Sequence, residues 1–409
     1  MRKTLLATAA VLGLAAPAAA QTEITVQFVP WMEGIFSAWK EAFEASHPEY
    51  TITFLPPYAD YDDGLQQVLR QSITGQMPDI SNQALNRQKT VISRELAVDL
   101  TPWIEAEADW EGEGFGGPVT DVATVDGQTF GLAAAFSSPV AYYNMELVER
   151  AVGEIDEFPT DWDGLIALAA QIDALGDDIA GLYTTADEDW IFQSLVAGSG
   201  GRMANEDGTE VMFDQEPGAQ AFEIFERLLT EGGMPATSFD SATQLFYAGR
   251  LGILLQSING LRRHTDNVGG RFEIRTGVFP RNDPNGTLAA GGNVNMILTT
   301  DPERQQAAWE FVRWMSSVEG GEVLVTASGY MPPNTLVAER KADMYAANPN
   351  QAVSLEQLPW LGEWYAFPGD NGLRIHAAIT DTLQDLMNGR LTADDARTEA
   401  ARAVNALLR

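Results

Sequence analysis

Between Ile24 and Ile80 the apolar residues switch repeatedly between two-residue and helical spacing, and this alternation restricts the fold more than any other feature of the chain. Ile24 to Val29 alternates as a strand does. Ile35, Phe36, Trp39 and Phe43 then recur at helical spacing until His47-Pro48, where proline cannot continue a helix. Thr51 to Leu55 reads as a second strand. Leu65, Val68, Leu69 and Ile73 mark a second helix closed by Gly75, and Asp79-Ile80 opens a third strand. Strand-helix-strand-helix order builds a mainly parallel α/β sheet with helices packed on it.

Further along, Gly127 to Leu132 looks like a hairpin end leading into an extended stretch. Pro139 and Val140 then precede the β-type run Ala141-Tyr142-Tyr143, where we expect a first crossover. Thr160 can cap a helix that buries Leu165, Leu168, Ala169 and Ile172, and further helices fit Ala219 to Leu229 and Ser241 to Tyr247. Leu251 to Leu255 and Gly277 to Pro280 read as strands. Gly291-Gly292 precedes the strand Val294 to Leu298, and Asp301-Pro302 opens a helix with Asp as N-cap and Pro at its first position. This segment returns the chain to its first lobe until Pro332-Pro333. The remainder is helical and ends on a stripe of Ala396, Ala400, Val404 and Leu407 behind an N-cap at Thr392.

A chain of 409 residues exceeds what one hydrophobic core usually serves. Two lobes are therefore expected, and with no low-complexity tether or repeat they must join through short ordered crossovers. The expected lobes are 21–135 with 289–332, and 136–288 with 333–409.

Arg2 and Lys3, the apolar run Leu5 to Leu14 and the small residues Ala18-Ala19-Ala20 have the layout of a secretory signal peptide, residues 1–20. The run is too short to span a bilayer, which takes about 20 apolar residues. No Cys occurs anywhere, so the expectation is a periplasmic protein with neither lipid anchor nor disulfide. Loss of Arg2 and Lys3 moves the formal charge from -33 to -35. Such a field repels nucleic acid and anionic lipid, whose phosphates need Lys and Arg. It fits a solubilising acidic surface or the steering of a cationic ligand.

Several motifs are familiar together. Pro139-Val140-Ala141-Tyr142-Tyr143-Asn144, Phe158 to Leu165, Phe246-Tyr247-Ala248-Gly249-Arg250 and Gly329-Tyr330-Met331-Pro332 come in the order and spacing seen in family 1 extracellular solute-binding proteins of ABC importers. The chain resembles that family over essentially its whole mature length, and within it the glycerol-3-phosphate- and carbohydrate-binding components. The resemblance implies a two-lobed periplasmic-binding-protein (Venus-flytrap) fold, maltose-binding-protein-like, with lobes joined by crossover strands. It also implies a solute in the cleft, closure on binding, and transfer to ABC permease subunits served by a separate ATPase.

Carried over residue by residue, the resemblance makes Tyr61, Ser137, Ser257, Gly292 and Tyr330 cleft candidates. Where the glycerol-3-phosphate component has a binding Glu after its third strand, this chain has Ser81 to Asn86 with no acid. The phosphate-associated Arg falls nearer His376 than Arg374.

Sugars and polyols present hydroxyl edges and apolar C–H faces, so a site for them needs aromatic rings and a few fixed polar groups. Trp31, Trp190, Trp360 and Trp364 fall in or beside expected loops, and Trp190 matches a Trp-bearing cleft segment of the family. Trp39, Trp309 and Trp314 sit on helices and fit the core. Gly292 lacks a Cβ and lets backbone approach a ligand, or simply turns before a strand. Glu33 fits either a helix-dipole position or ligand contact. Arg374, in a Pro/Gly-rich loop, suits a bidentate grip on an anion or a surface ion pair.

His47, His264 and His376 are scattered and read as surface or turn residues, so no metal site or cofactor is expected. No G-x-S-x-G elbow or Walker A loop is present. A secreted glycoside hydrolase is the rival class, because 58 acidic residues offer many carboxylate pairs. The expectation is a monomer that binds a small sugar or polyol, or in the alternative a phosphorylated or sulfonated polyol. Neither nucleic-acid binding, membrane insertion nor catalysis is expected.

Overall fold

The computed structural model describes residues 21–369 and 371–409, so the expected signal peptide lies outside the described residues. The expected opening pattern is present, with bounds moved by one to four residues. Strand β1 is Thr22–Gln27, helix α1 Glu33–Ser46, β2 Tyr50–Phe54, α2 Tyr61–Thr74 and β3 Ile80–Ala84. Gly75 closes α2 in the left-handed region, and Asp60 caps its start by accepting from the Asp63 amide.

An Asp126-Gly127 turn with both residues at positive φ makes a small hairpin. It leads into β4, Leu132–Ser137, and after Ser138 alone the chain enters β5, Pro139–Asn144. Helix α3, Trp162–Asp173, is capped by Asp161, whose carboxylate accepts from the Gly164 amide at 2.8 Å. This corrects the expected Thr160 cap by one position; the Asp carboxylate reaches the third helical amide. Strand β6 is Ala180–Tyr183 and helix α4 Asp189–Gly198. Then come β7, Leu251–Ser257, β8, Ile274–Val278, and β9, Gly291–Ile297. The glycine pair is thus part of the strand instead of preceding it. Helix α5, Pro302–Met315, starts at Asp301, which accepts from the Glu303 and Arg304 amides. Helices α6, Gly372–Met387, and α7, Ala393–Leu407, close the chain, with Thr392 capping α7.

The strands form two principal sheets. One has the order β2-β1-β3-β9-β4, with β1 parallel to β2 and β3, and β9 antiparallel to both of its neighbours. The other runs β8-β5-β7-β6. Two lobes result, one around each sheet. The chain passes between them at Ser138, and again through Ala290, whose amide donates to Gly362 O at 2.9 Å. Near the first passage, Phe136 pairs with Met331 as an isolated antiparallel bridge.

Each sheet is buried by the apolar stripes of its helices. On the first, Ile35, Phe36, Trp39 and Phe43 of α1 are all buried, and Phe28 stacks on Phe36 at 4.3 Å. The polar run that begins at Ser81, within β3, is also internal. Asn82 donates to Asn293 Oδ1 at 2.9 Å and Asn295 Oδ1 at 2.8 Å, so its amino group ties β3 to β9 inside the sheet. Buried Asp79 accepts from the Thr25 amide and hydroxyl, each at 2.7 Å, and pairs with Arg304 of α5.

Candidate functional site

A cavity of about 260 Å³ lies where the facing ends of the two sheets approach. The first lobe contributes Trp31, from the turn before α1, and Tyr61, from the first turn of α2, whose rings meet edge-on at 5.1 Å. Tyr61 is held by its hydroxyl, which accepts from Asn293 Nδ2 at 3.0 Å. Tyr330 follows the helix that ends at Ala327, and its hydroxyl accepts from Asn259 Nδ2 at 2.9 Å across the cavity. Ser137 ends β4 and Ser257 ends β7, and their Oγ atoms meet at 2.5 Å. Burial keeps the Tyr61 and Tyr330 hydroxyls protonated, with Tyr330 pushed up to about 12.

Trp190 forms the floor. It was expected in a loop, but it occupies the first turn of α4, buried, with Nε1 donating to Ala289 O at 2.7 Å. The ring lies directly on Gly291, where an added Cβ would stand 2.7 Å from Trp190 Cζ2. Gly292, at φ 126°, brings its Cα face within reach of β4, and a Cβ there would meet Ala135 O at 2.0 Å. Both glycines are therefore required by close approach.

A smaller cavity of about 180 Å³ adjoins the first and shares Tyr61, Asp187, Glu188 and Trp364 with it. Asp60, Asp62, Asn86, Arg87 and His376 complete its wall. Arg87 Nε donates to Asp62 at 2.6 Å. His376 stands between the lobes, 3.5 Å from Asp62 and 3.4 Å from Asp189. Burial disfavours the imidazolium, but Asp189 outweighs it and raises His376 above its ordinary value. Burial would likewise raise Asp189, but His376, Arg87 and Gln193 hold it down at about 2. Glu188 has no such partner. Burial, opposed by His376 and assisted by Asp189, pushes it up to about 7.

Of the residues chosen from sequence, Trp31, Tyr61, Ser137, Trp190, Ser257, Gly292 and Tyr330 come together around the larger cavity. Two do not. Glu33 is exposed on the first turn of α1, a helix-dipole position. Arg374 is exposed on α6 and donates to Asn371 at 3.2 Å, while His376, two residues on, faces the smaller cavity. The helical phase of α6 decides between them. Trp360 lies elsewhere, under the Arg281 guanidinium at 3.7 Å.

The histidines also depart from expectation, since His264 and His376 are buried. His264 donates from Nε2 to Gln256 and accepts the Tyr247 hydroxyl at Nδ1, each at 3.0 Å, and burial lowers it to about 3. Sequence reasoning missed Glu188, Asn259, Gln256 and Asn86. The signal for Glu188 was its place in Asp187-Glu188-Asp189, immediately before Trp190; the others carried none.

A model of the bacterial extracellular solute-binding protein family matches residues 38–353. The sn-glycerol-3-phosphate-binding periplasmic protein of Escherichia coli is 23% identical, over 98% of this chain and 97% of its own. Among solved structures, the ABC substrate-binding protein of Listeria monocytogenes in complex with cycloalternan superposes with a TM-score of 0.83 at 19% identity, covering 95% of this chain and 99% of that one. The UgpB protein of Mycobacterium tuberculosis in complex with glycerophosphocholine gives 0.83 at 17% identity, covering 95% and 98%.

Proposed function

Because the chain belongs to the bacterial extracellular solute-binding protein family, we propose that it captures a small carbohydrate or related polyol between its lobes and delivers it to an ABC permease driven by a separate ATPase. The carrying observation is the cavity of about 260 Å³, in which Trp31, Tyr61, Trp190 and Tyr330 supply ring faces while Ser137, Ser257 and Asn259 supply fixed polar groups. Rings take the C–H faces of a sugar and the polar groups take its hydroxyls. The E. coli relative is named for glycerol-3-phosphate, and the Listeria and Mycobacterium neighbours hold cycloalternan and glycerophosphocholine. All three ligands carry free alcohol groups.

In this reading residues 1–20 direct export and are removed, and the mature protein is a periplasmic monomer without a lipid anchor. No helix among the described residues is long and apolar enough to cross a membrane. The lobes, 21–135 with 289–332 and 136–288 with 333–409, rotate toward each other around the solute, which is bound and released chemically unchanged.

A thermal-shift screen over sugars, polyols and their phosphate derivatives tests capture, since a ligand at 100 times its dissociation constant adds about 2.7 kcal/mol. A hit should quench tryptophan fluorescence, shrink the scattering radius and be recovered intact. No hit across the panel, or recovery of a cleaved product, would overturn the reading.

The phosphorylated-polyol alternative draws on Arg263, which lines the larger cavity. Arg263→Ala should then weaken glycerol-3-phosphate at least tenfold, whereas Arg374→Ala should leave it unchanged.

A further inference from the structure

We propose that the captured solute carries a protonated amino group, and that Glu188 and Asn86 hold this group in the smaller cavity beside the aromatic chamber. The inference rests on the capture reading above and narrows its solute class to amino sugars and amino polyols.

Glu188 stands on the boundary of the two cavities and lines both. It occupies the N-cap position of α4, yet its side chain does not cap the helix. Among the described residues its carboxylate makes no hydrogen bond and no ion pair, although the neighbouring charged side chains all have partners. Arg87 is engaged by Asp62 at 2.6 Å, and His376 is shared between Asp62 and Asp189. The Asp60 carboxylate caps α2, and the Asp187 carboxylate accepts from Gln384 at 3.3 Å. Five carboxylates thus surround one guanidinium and one imidazole. The wall lacks a cation, and the one carboxylate with no partner faces the solute chamber.

Asn86 supplies a second, independent observation. It is 4% exposed and lines the same small cavity, and both Oδ1 and Nδ2 lack a partner. A buried amide left so is costly and calls for an occupant that hydrogen-bonds. A protonated amine has three N–H donors, enough for the Glu188 carboxylate, Asn86 Oδ1 and one further acceptor. The Tyr61 and Trp364 rings border the same space and favour a cation over a neutral group. A quaternary ammonium would satisfy the charge but leave Asn86 without a donor.

The pH response follows from the groups facing Glu188, which are Asp60 and Asp62 from the first lobe, Asp187 and Asp189 beside it, Arg87, His376 of α6, Arg263 on the wall of the larger cavity, and the neutral Tyr61 and Tyr330. As pH falls through about 7, Glu188 gains a proton. Loss of its charge opposes a cation.

Calorimetry at about pH 7.5 with two matched pairs, glucosamine against glucose and 3-amino-1,2-propanediol against glycerol, tests the proposal. At least one amine should bind about tenfold tighter than its alcohol. Glu188→Gln should reduce that preference to less than about twofold, and an unchanged melting temperature of the ligand-free variant reports correct folding. Asn86→Leu should weaken the amine more than the alcohol. Neither amine outbinding its partner, or a preference that survives Glu188→Gln, would overturn the proposal. If glucose or glycerol still bind in that case, the capture reading stands without it. Choline binding tighter than both amines would also count against it, since choline offers no N–H to Asn86.

Discussion

His376 Nε2 of α6 lies 3.5 Å from Asp62 Oδ2 of α2, which makes the imidazole a contact between the two lobes. Its other nitrogen faces Asp189 at 3.4 Å, so one side chain separates two carboxylates. The folded protein raises the His376 value, so its stabilising effect is complete below the ordinary histidine value of about 6.5 and disappears as pH rises through the higher folded value. Thermal denaturation should therefore show a loss of stability as pH rises above about 6.5 that His376→Gln removes. The same slope in the variant would assign it to another group.

Gly292 should tolerate no side chain. Its φ of 126° is strained for any L residue, and a Cβ would overlap Ala135 O. Gly292→Ala should cost about 3 kcal/mol or more in urea denaturation, since the strain and the displacement of β4 add. A cost below about 1 kcal/mol would show that β4 and β9 can separate freely.

Ser137 and Ser257 share one short hydrogen bond, so each can orient the other's remaining valence toward a solute hydroxyl. Ser137→Ala and Ser257→Ala should each weaken a hydroxylated ligand about tenfold, and the double variant should lose little more than either alone. Additive losses, measured by titration, would mean that the two hydroxyls act separately.

Asp79 is 2% exposed, and its carboxylate joins β1, through Thr25, to Arg304 of α5. Asp79→Ala should destabilise by about 3 kcal/mol, because two donors and a guanidinium lose their acceptor together. Ligand affinity, measured where the variant is folded, should be unchanged.

The pattern of the first lobe could be read in sequence because its helices each bury one stripe and its strands are short and bounded by Gly and Pro. Trp39 and Phe43 could be assigned to the core from spacing alone. Helix α4 could not be. Asp189 to Gly198 is buried on nearly every side, so it has no polar face to set a period, and Trp190 was expected in a loop for that reason. The cavity residues were found mainly through family resemblance, with glycines and aromatics the most transferable. Arg374 and His376 show the limit of spacing, since two residues on a helix point nearly opposite ways and sequence distance cannot say which faces inward. Glu188 was passed over because, among 58 acids, its place in Asp187-Glu188-Asp189 before Trp190 does not by itself separate a cavity residue from a surface one.

Ser138 alone separates β4 from β5, and its Oγ and the neighbouring Pro139 carbonyl are both gripped by the Gln357 amide. One fully buried residue, pinned in this way, leaves no slack for the sheets to slide or drift apart. In the capture reading, what remains is torsion about a few backbone bonds, which would act as a lever with its fulcrum close to the solute. A shift in the solute's size of a fraction of a bond length would thus appear as a larger displacement at the outer rims, the surfaces a transporter would read.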